Sequence, residues 1–179
     1  MINLLSKELK KSLRVIKNFP NKGINFQDIT SITDDPKLFL KVVNSMSTYA
    51  KKNNINKVIG IEARGFIFAS AVAIKNQIAF VPIRKENKLP GKVFKKKYKL
   101  EYGYDEIQIH QNAIKSKDRI LVIDDLIATG GTALAAASLI KKFKPKQINF
   151  FFIINLYNLK GLKEIKKKFS SKTLIDIEG

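Results

Sequence analysis

Apolar runs and amphipathic stretches alternate along this chain. Residues 57–61, 78–83, 120–123 and 147–154 are dense in Ile, Val, Leu and Phe, the pattern of strands buried on both faces. Between and after them, residues 36–52, 65–75, 132–143 and 159–169 repeat apolar positions at spacings of three and four, which predicts helices. Strand and helix in this order predict an α/β protein with a mostly parallel central sheet flanked by helices. Residues 1–17 mix Leu, Ile and Val with Lys at helical spacing. Two stretches break the alternation. Residues 18–34 are turn-rich, with Pro20, Gly23 and two Asp, and have no clean period. Residues 85–105 form a long polar insertion with Pro90-Gly91, then a strand-like 98–102, a Gly103 turn and residues 106–109. That predicts a loop leading into an antiparallel hairpin, and a loop of this length usually covers a binding site. No repeat, low-complexity tract or linker interrupts the pattern, so one domain over residues 1–179 is expected.

The strongest chemical signal lies between Ile120 and Thr132, ILVIDDLIATGGT. Adjacent carboxylates, Asp124 and Asp125, follow the apolar residues where the strand is expected to end. A turn of Ala128, Thr129, Gly130, Gly131 and Thr132 then feeds an alanine-rich helix. A glycine turn at a helix amino terminus offers unpaired N–H groups and the positive end of the helix dipole, which suit a phosphate. Two carboxylates beside a phosphate would repel it, so they need another task. Sugar hydroxyls, or a magnesium ion carried by the ligand, would supply one. The pattern therefore points to a phosphorylated sugar at the carboxyl edge of an open α/β sheet. Helix capping alone would explain Thr129 and the glycines, but not the paired carboxylates.

A second turn repeats the theme. Glu62-Ala63-Arg64-Gly65 follows one apolar run and precedes a helix, adding an Arg suited to phosphate oxygens. Two anionic subsites on one sheet edge fit a ligand with phosphates at both ends. Arg84, Lys85 and Lys88 follow the 78–83 run and stand where they could reach a pyrophosphate, whereas Lys95 to Lys97 read as a solvated face. Glu101, in Leu100-Glu-Tyr-Gly103, is either a surface strand residue or a half-desolvated general base. Phe26 is either core or an aromatic lid for a flat ligand. A lone histidine, His110, argues against a histidine metal site or a Ser-His-Asp triad, and the absence of cysteine excludes a cysteine nucleophile.

Composition adjusts this picture only slightly. With 45% hydrophobic residues in 179, the chain can build a full core. The net charge of +19 suggests nucleic acid, but it is mostly Lys spread along the chain, with Arg scarce and no nucleic-acid module in evidence. Non-specific polyanion binding at low salt is expected, specific nucleic-acid recognition is not. No apolar run reaches transmembrane length and no signal-peptide core opens the chain, which with zero cysteines predicts a cytoplasmic protein without a membrane partner.

In order and spacing the motifs resemble one family, the adenine phosphoribosyltransferases among the type I phosphoribosyltransferases. The segments that carry the resemblance are Phe19-Pro, Gly23-Ile-Asn-Phe-Gln-Asp-Ile-Thr30, Asp35-Pro-Lys, Glu62-Ala-Arg-Gly-Phe66 and Val81-Pro-Ile-Arg-Lys with Lys88-Leu-Pro. Leu100-Glu-Tyr-Gly103, Ile123 to Thr132 and Phe152-Ile-Ile-Asn-Leu156 complete the set.

The resemblance implies the type I phosphoribosyltransferase fold, with an N-terminal helix and base-binding hood at 1–34 and a flexible catalytic loop at 85–105. It implies transfer of 5-phosphoribosyl from phosphoribosyl pyrophosphate (PRPP) to adenine, giving AMP and pyrophosphate in purine salvage, by a homodimer. Asp124 and Asp125 would hold the ribose hydroxyls, and Ala128, Thr129, Gly130, Gly131 and Thr132 the 5′-phosphate. Glu62, Ala63, Arg64, Arg84, Lys85 and Lys88 would meet the pyrophosphate. Mg²⁺ would arrive on PRPP, with no direct protein ligand. Adenine would be read by backbone groups around Ile24 and Gln27 and stacked between Phe26 and Leu126. Glu101 would assist proton removal and act with Asp124, Asp125 and Arg64 in catalysis, while Tyr102 lies on the closing loop. Gln27 stands where the family commonly has Arg, Glu86-Asn87 where Pro-Gly is common, and Ala69 where Gly is common. Two other readings share such a pocket: a PRPP-binding regulator of nucleic acid, and a transferase for another purine base. Glu101 with the Arg84/Lys88 loop argues against the first, the Phe26 hood against the second.

Overall fold

Strands that are apolar on both faces can be buried only as the middle layer of a three-layer sandwich, and that is the architecture here. The computed structural model describes residues 2–99 and 103–179. The chain opens with α1 (Ile2–Ser12), β1 (Arg14–Lys17), β2 (Asn25–Asp28), α2 (Thr30–Thr33) and α3 (Pro36–Lys52). It continues with β3 (Lys57–Ile61), α4 (Arg64–Asn76), β4 (Ala79–Lys85), β5 (Val93–Lys99) and β6 (Tyr104–His110). Last come β7 (Arg119–Ile127), α5 (Gly131–Lys141), β8 (Gln147–Leu156), α6 (Gly161–Lys166) and β9 (Ser170–Ile177). Seven strands form one sheet in the order β5-β6-β4-β3-β7-β8-β9. Strands β4, β3, β7, β8 and β9 run parallel. The β5–β6 hairpin adds an antiparallel edge to β4.

Alternation along the central strands divides the core in two. Leu121 and Ile123 of β7, with Phe151 and Ile153 of β8, pack with α3 and α4 on one face. Ile120 and Val122, with Phe150 and Phe152, pack with α5 and α6 on the other. Truncating a side chain such as the fully buried Phe151 to Ala would cost about 3–5 kcal/mol. Helix α3 starts where Asp35 accepts hydrogen bonds from the N–H groups of Lys37 and Leu38 and Pro36 fills the first turn. Ala69, where Gly is common in the resembled family, is buried close to Gly60, at which an added Cβ would stand 2.9 Å from that of Ala69.

Several boundaries differ from the sequence expectation. Strand β7 continues to Ile127, so Asp124 and Asp125 lie within it and not beyond its end. The long β8 extends the pairing, with Leu126 opposite Ile154 and Ile127 opposite Asn155. The N-terminal helix stops at Ser12, and β1 pairs with β2 in a separate two-stranded ribbon. That ribbon was not legible because all four β1 side chains are exposed, which removes the apolar alternation. Its turn uses Asn18 and Gly23 at positive φ, closed by the Gly23 N–H on Asn18 Oδ1. The hairpin is longer than expected, since the lysine-rich 93–99 segment is an edge strand. Helix α6 ends at Lys166, and edge strand β9, which no apolar run announced, follows it.

Candidate active site

The carboxyl ends of β3 and β7 open into a cavity of about 310 Å³. Glu62, Ala63 and Arg64 line one wall, Ala128 to Thr132 another, and Asp124 to Ile127 the floor. Both turns singled out in the sequence therefore face one space. The glycine turn is held from behind. Gly130 adopts φ +85°, and an added Cβ there would lie 2.8 Å from Gly161 Cα. Gly161 in turn donates its N–H to Ala128 O at 3.1 Å, and any side chain on it would collide with that carbonyl and with Gly130 N. No side chain caps α5. The donors of its first turn are thus free of side-chain partners at the cavity wall, as an anion requires.

The acidic pair sits where α4 meets β7. Gly65 permits that approach, since a Cβ there would stand 2.7 Å from Ile123 O and 3.0 Å from Asp124 Oδ1. Asp124 Oδ1 accepts the Asp125 N–H at 3.0 Å. Asp125 is 3% exposed, and its Oδ2 makes no hydrogen bond although Arg64 Nε lies 2.9 Å away as an ion partner. Burial first, and then the charge of Asp125, push the Asp124 carboxyl well above the usual carboxylate range. Burial also raises Asp125, against the pull of Arg64. Two crowded carboxylates with unused acceptor capacity are set up to receive hydroxyl donors.

The cations are distributed differently from the sequence expectation. Arg84 makes a two-pronged contact with Glu62, Nη2 to Oε1 at 3.0 Å and Nε to Oε2 at 3.3 Å, and also donates to Lys88 O. Burial raises Glu62, but Arg84 and the Lys85 N–H more than offset it and hold the carboxyl below its ordinary value. Arg84 and Lys88 do not line the cavity, whereas Lys85 does. Arg84 is held away from the cavity by its contacts with Glu62 and Lys88. Lys85 Nζ meets Asp105 Oδ2 at 3.2 Å, and Tyr98 donates its hydroxyl to the same oxygen at 3.2 Å. Tyr98 and Asp105 both line the cavity and were not singled out from sequence, although Tyr98 lies just before the Leu-Glu-Tyr-Gly segment. Gly161 gave no local signal at all, because its role is a backbone contact with a distant turn.

Ile24, Phe26 and Gln27 lie outside the lining, joined to it by Arg64. The Arg64 guanidinium carbon stands 5.0 Å from the Phe26 ring centroid, and its Nη1 donates to Gln27 O at 3.4 Å. Phe19 packs edge-on against Phe26. Gln27 is buried and spends its Nε2 on Asn25 O. Leu126 lines the cavity. Glu101 and Tyr102 lie outside the described residues. Among the described residues no three His, Cys, Asp or Glu side chains converge as a metal site.

This geometry agrees with what the chain resembles. A model of the phosphoribosyl transferase domain matches residues 28–178. An adenine phosphoribosyltransferase from Wolinella succinogenes is 45% identical over 171 residues, covering 94% of both chains. The enzyme of that name from Rhodothermus marinus superposes with a TM-score of 0.91 at 36% identity, over 98% of this chain and 99% of the other. The Saccharomyces cerevisiae enzyme, solved with adenine and an imino-altritol bisphosphate, gives 0.90 at 35% identity, over 97% and 99% of the two chains. The chain belongs to the phosphoribosyltransferase family, within its adenine phosphoribosyltransferase branch.

Proposed function

We propose that this chain transfers the 5-phosphoribosyl group of PRPP to adenine, releasing AMP and pyrophosphate. The observation that carries the reading is one cavity in which the Asp124–Asp125 pair adjoins the uncapped turn of α5. A sugar phosphate fits that juxtaposition, with its 5′-phosphate on the N–H groups of residues 128–132 and its ribose hydroxyls on the carboxylates. Relatives of 35–45% sequence identity bear the adenine activity in their names, and the yeast one was solved with adenine bound.

Displacing pyrophosphate builds positive charge at the anomeric carbon. The chain must therefore hold the departing anion and keep water out. Lys85 and the Glu62–Arg64 turn hold that end. Mg²⁺ is read as part of the substrate, since PRPP phosphates and water supply the oxygen ligands such an ion favours. Adenine is assigned to the Phe26 side, between Phe26 and Leu126. Arg64 links that hood to Asp125, so base and sugar are held by one connected set of side chains. Glu101 is assigned the base proton and Tyr102 the closing loop at 85–105.

Incubation with Mg²⁺, PRPP and each nucleobase in turn tests this directly. AMP from adenine is expected; a nucleotide from another base only, or none, would overturn the reading. A homodimer is also proposed. Ile67 and Ile74 stand seven residues apart on α4 and are 41% and 79% exposed, and Phe80 of β4, which packs on Phe66 of the same helix, is 36% exposed. Sedimentation of an Ile74→Lys variant as a monomer, against a dimeric parent, is the expected outcome. No helix among the described residues is long and apolar enough to cross a membrane, and a cytoplasmic location is proposed, with which a sequence free of cysteine agrees.

A further inference from the structure

A second cavity, of about 510 Å³, lies between β5 and α5. Lys96, Lys97, Lys141, Lys168, Ser138 and Phe169 surround it, and it shares Tyr98 and Gly131 with the substrate cavity. Among the described residues no carboxylate lines it. The neighbours of its lysines along the chain do have acidic partners, Lys95 in Glu106 and Lys167 in Glu164. Among the described residues none of the four cavity lysines has an acidic partner within ion-pair distance. Lys141 is fixed at the wall, its Nζ 5.0 Å from the Phe169 ring centroid. Four exposed ammonium groups around one cleft raise the local positive potential, which suits a multiply charged anion.

We propose that this cleft is a second anion site that takes a polyphosphate chain, carried either by a nucleoside triphosphate or as inorganic polyphosphate. Lysine serves phosphate as a point charge, and Ser138 supplies a neutral donor. The site is separate from the ribose and 5′-phosphate positions but touches their supports. Tyr98 ties β5 to Asp105, which holds Lys85, and Gly131 begins α5. An occupant therefore contacts the two elements that shape the substrate cavity, and by linkage substrate and occupant alter each other's affinity.

The test is calorimetric titration of the intact protein with tripolyphosphate and with ATP at low salt. The substrate cavity itself accepts phosphates, so two sites per chain are expected. Lys141→Ala/Lys168→Ala should bind at one site only, the other weakened by about tenfold or more. Its rate of AMP formation without added polyphosphate should match that of the parent, which also shows that it folds. A second variant, Lys10→Ala/Lys51→Ala, removes the same charge from distant exposed positions and should keep both sites. Equal affinity for tripolyphosphate and ATP supports a site that reads the phosphate chain alone. ATP binding about tenfold tighter supports one that also contacts the nucleoside. Two unchanged sites in Lys141→Ala/Lys168→Ala, or equal weakening in Lys10→Ala/Lys51→Ala, would overturn the proposal.

Discussion

Strand β7 has a buried carboxylate cluster near each end, and the two are built on opposite principles. Asp118, just before the strand and 4% exposed, is saturated. Lys57 Nζ approaches its Oδ2 at 2.8 Å, the Lys115 N–H donates to the same oxygen at 2.7 Å, and Asn56 Nδ2 donates to Oδ1 at 3.1 Å. Burial raises that carboxyl, but these partners more than offset it and hold it below its ordinary value. Asp124 and Asp125 have instead each other, one arginine and an oxygen without a hydrogen bond. Their carboxyls are raised. The contrast separates a carboxylate whose acceptors the fold uses up from a pair whose acceptors it leaves partly unspent, as the proposed ligand role requires.

The largest effect expected is on turnover. Asp124→Asn/Asp125→Asn preserves shape and removes the charge offered to the sugar, so AMP formation should fall by about 10³-fold. Circular dichroism and thermal unfolding should show the fold intact. Activity near that of the parent would break the comparison at the ligand end. Asp118→Ala should do the reverse. It leaves the half-buried Lys57 with only the Ala113 carbonyl and strips the Lys115 N–H and Asn56 of their acceptor, which should cost about 1–3 kcal/mol in denaturant unfolding, while AMP formation per folded molecule stays unchanged. A normal stability for Asp118→Ala would break the comparison at the structural end.

How far the sequence foretold this contrast depends on where the signal resides. The grouping of the acids and the glycine turn around one cavity was readable because ILVIDDLIATGGT is local: strand, acids and glycine turn are contiguous. Even so, β7 outran the apolar run, since strand length was decided by pairing with β8. Asp118 gave no such signal, because its partners come from Asn56, Lys57 and the Lys115 turn and meet only when β3 lies beside β7. The same holds for Gly161, which is required by the backbone of residues 128–130 and by nothing near it in sequence. The placement of Arg84 was hidden for a third reason. Its charge matched pyrophosphate, but Glu62, 22 residues earlier in the chain, holds it outside the cavity that Lys85 lines. Residues whose role is set by neighbours in the chain were legible; those set by neighbours in space were not.

A smaller effect, in stability against pH, sharpens the comparison because the two ends carry opposite signs. Asp118 has a depressed pKa when folded. Its contribution is therefore present above the unfolded value of about 3.9 and is lost as pH falls through the folded value. Asp124 has a raised one, so the folded state holds the proton longer than the unfolded state does. That gives a penalty at neutral pH that disappears as pH falls through the raised value. Asn at 124 can still accept the Asp125 N–H and leaves the Arg64–Asp125 pair in place, but it carries no charge to desolvate. Asp124→Asn should accordingly be more stable than the parent at pH 7, with the advantage shrinking as pH approaches 4. Asp118→Ala should be less stable at pH 7, with its deficit closing only below that range. Urea unfolding of parent and both variants at a series of pH values reads the two trends. Parallel trends would mean that the two ends of β7 do not differ in the way their geometry indicates.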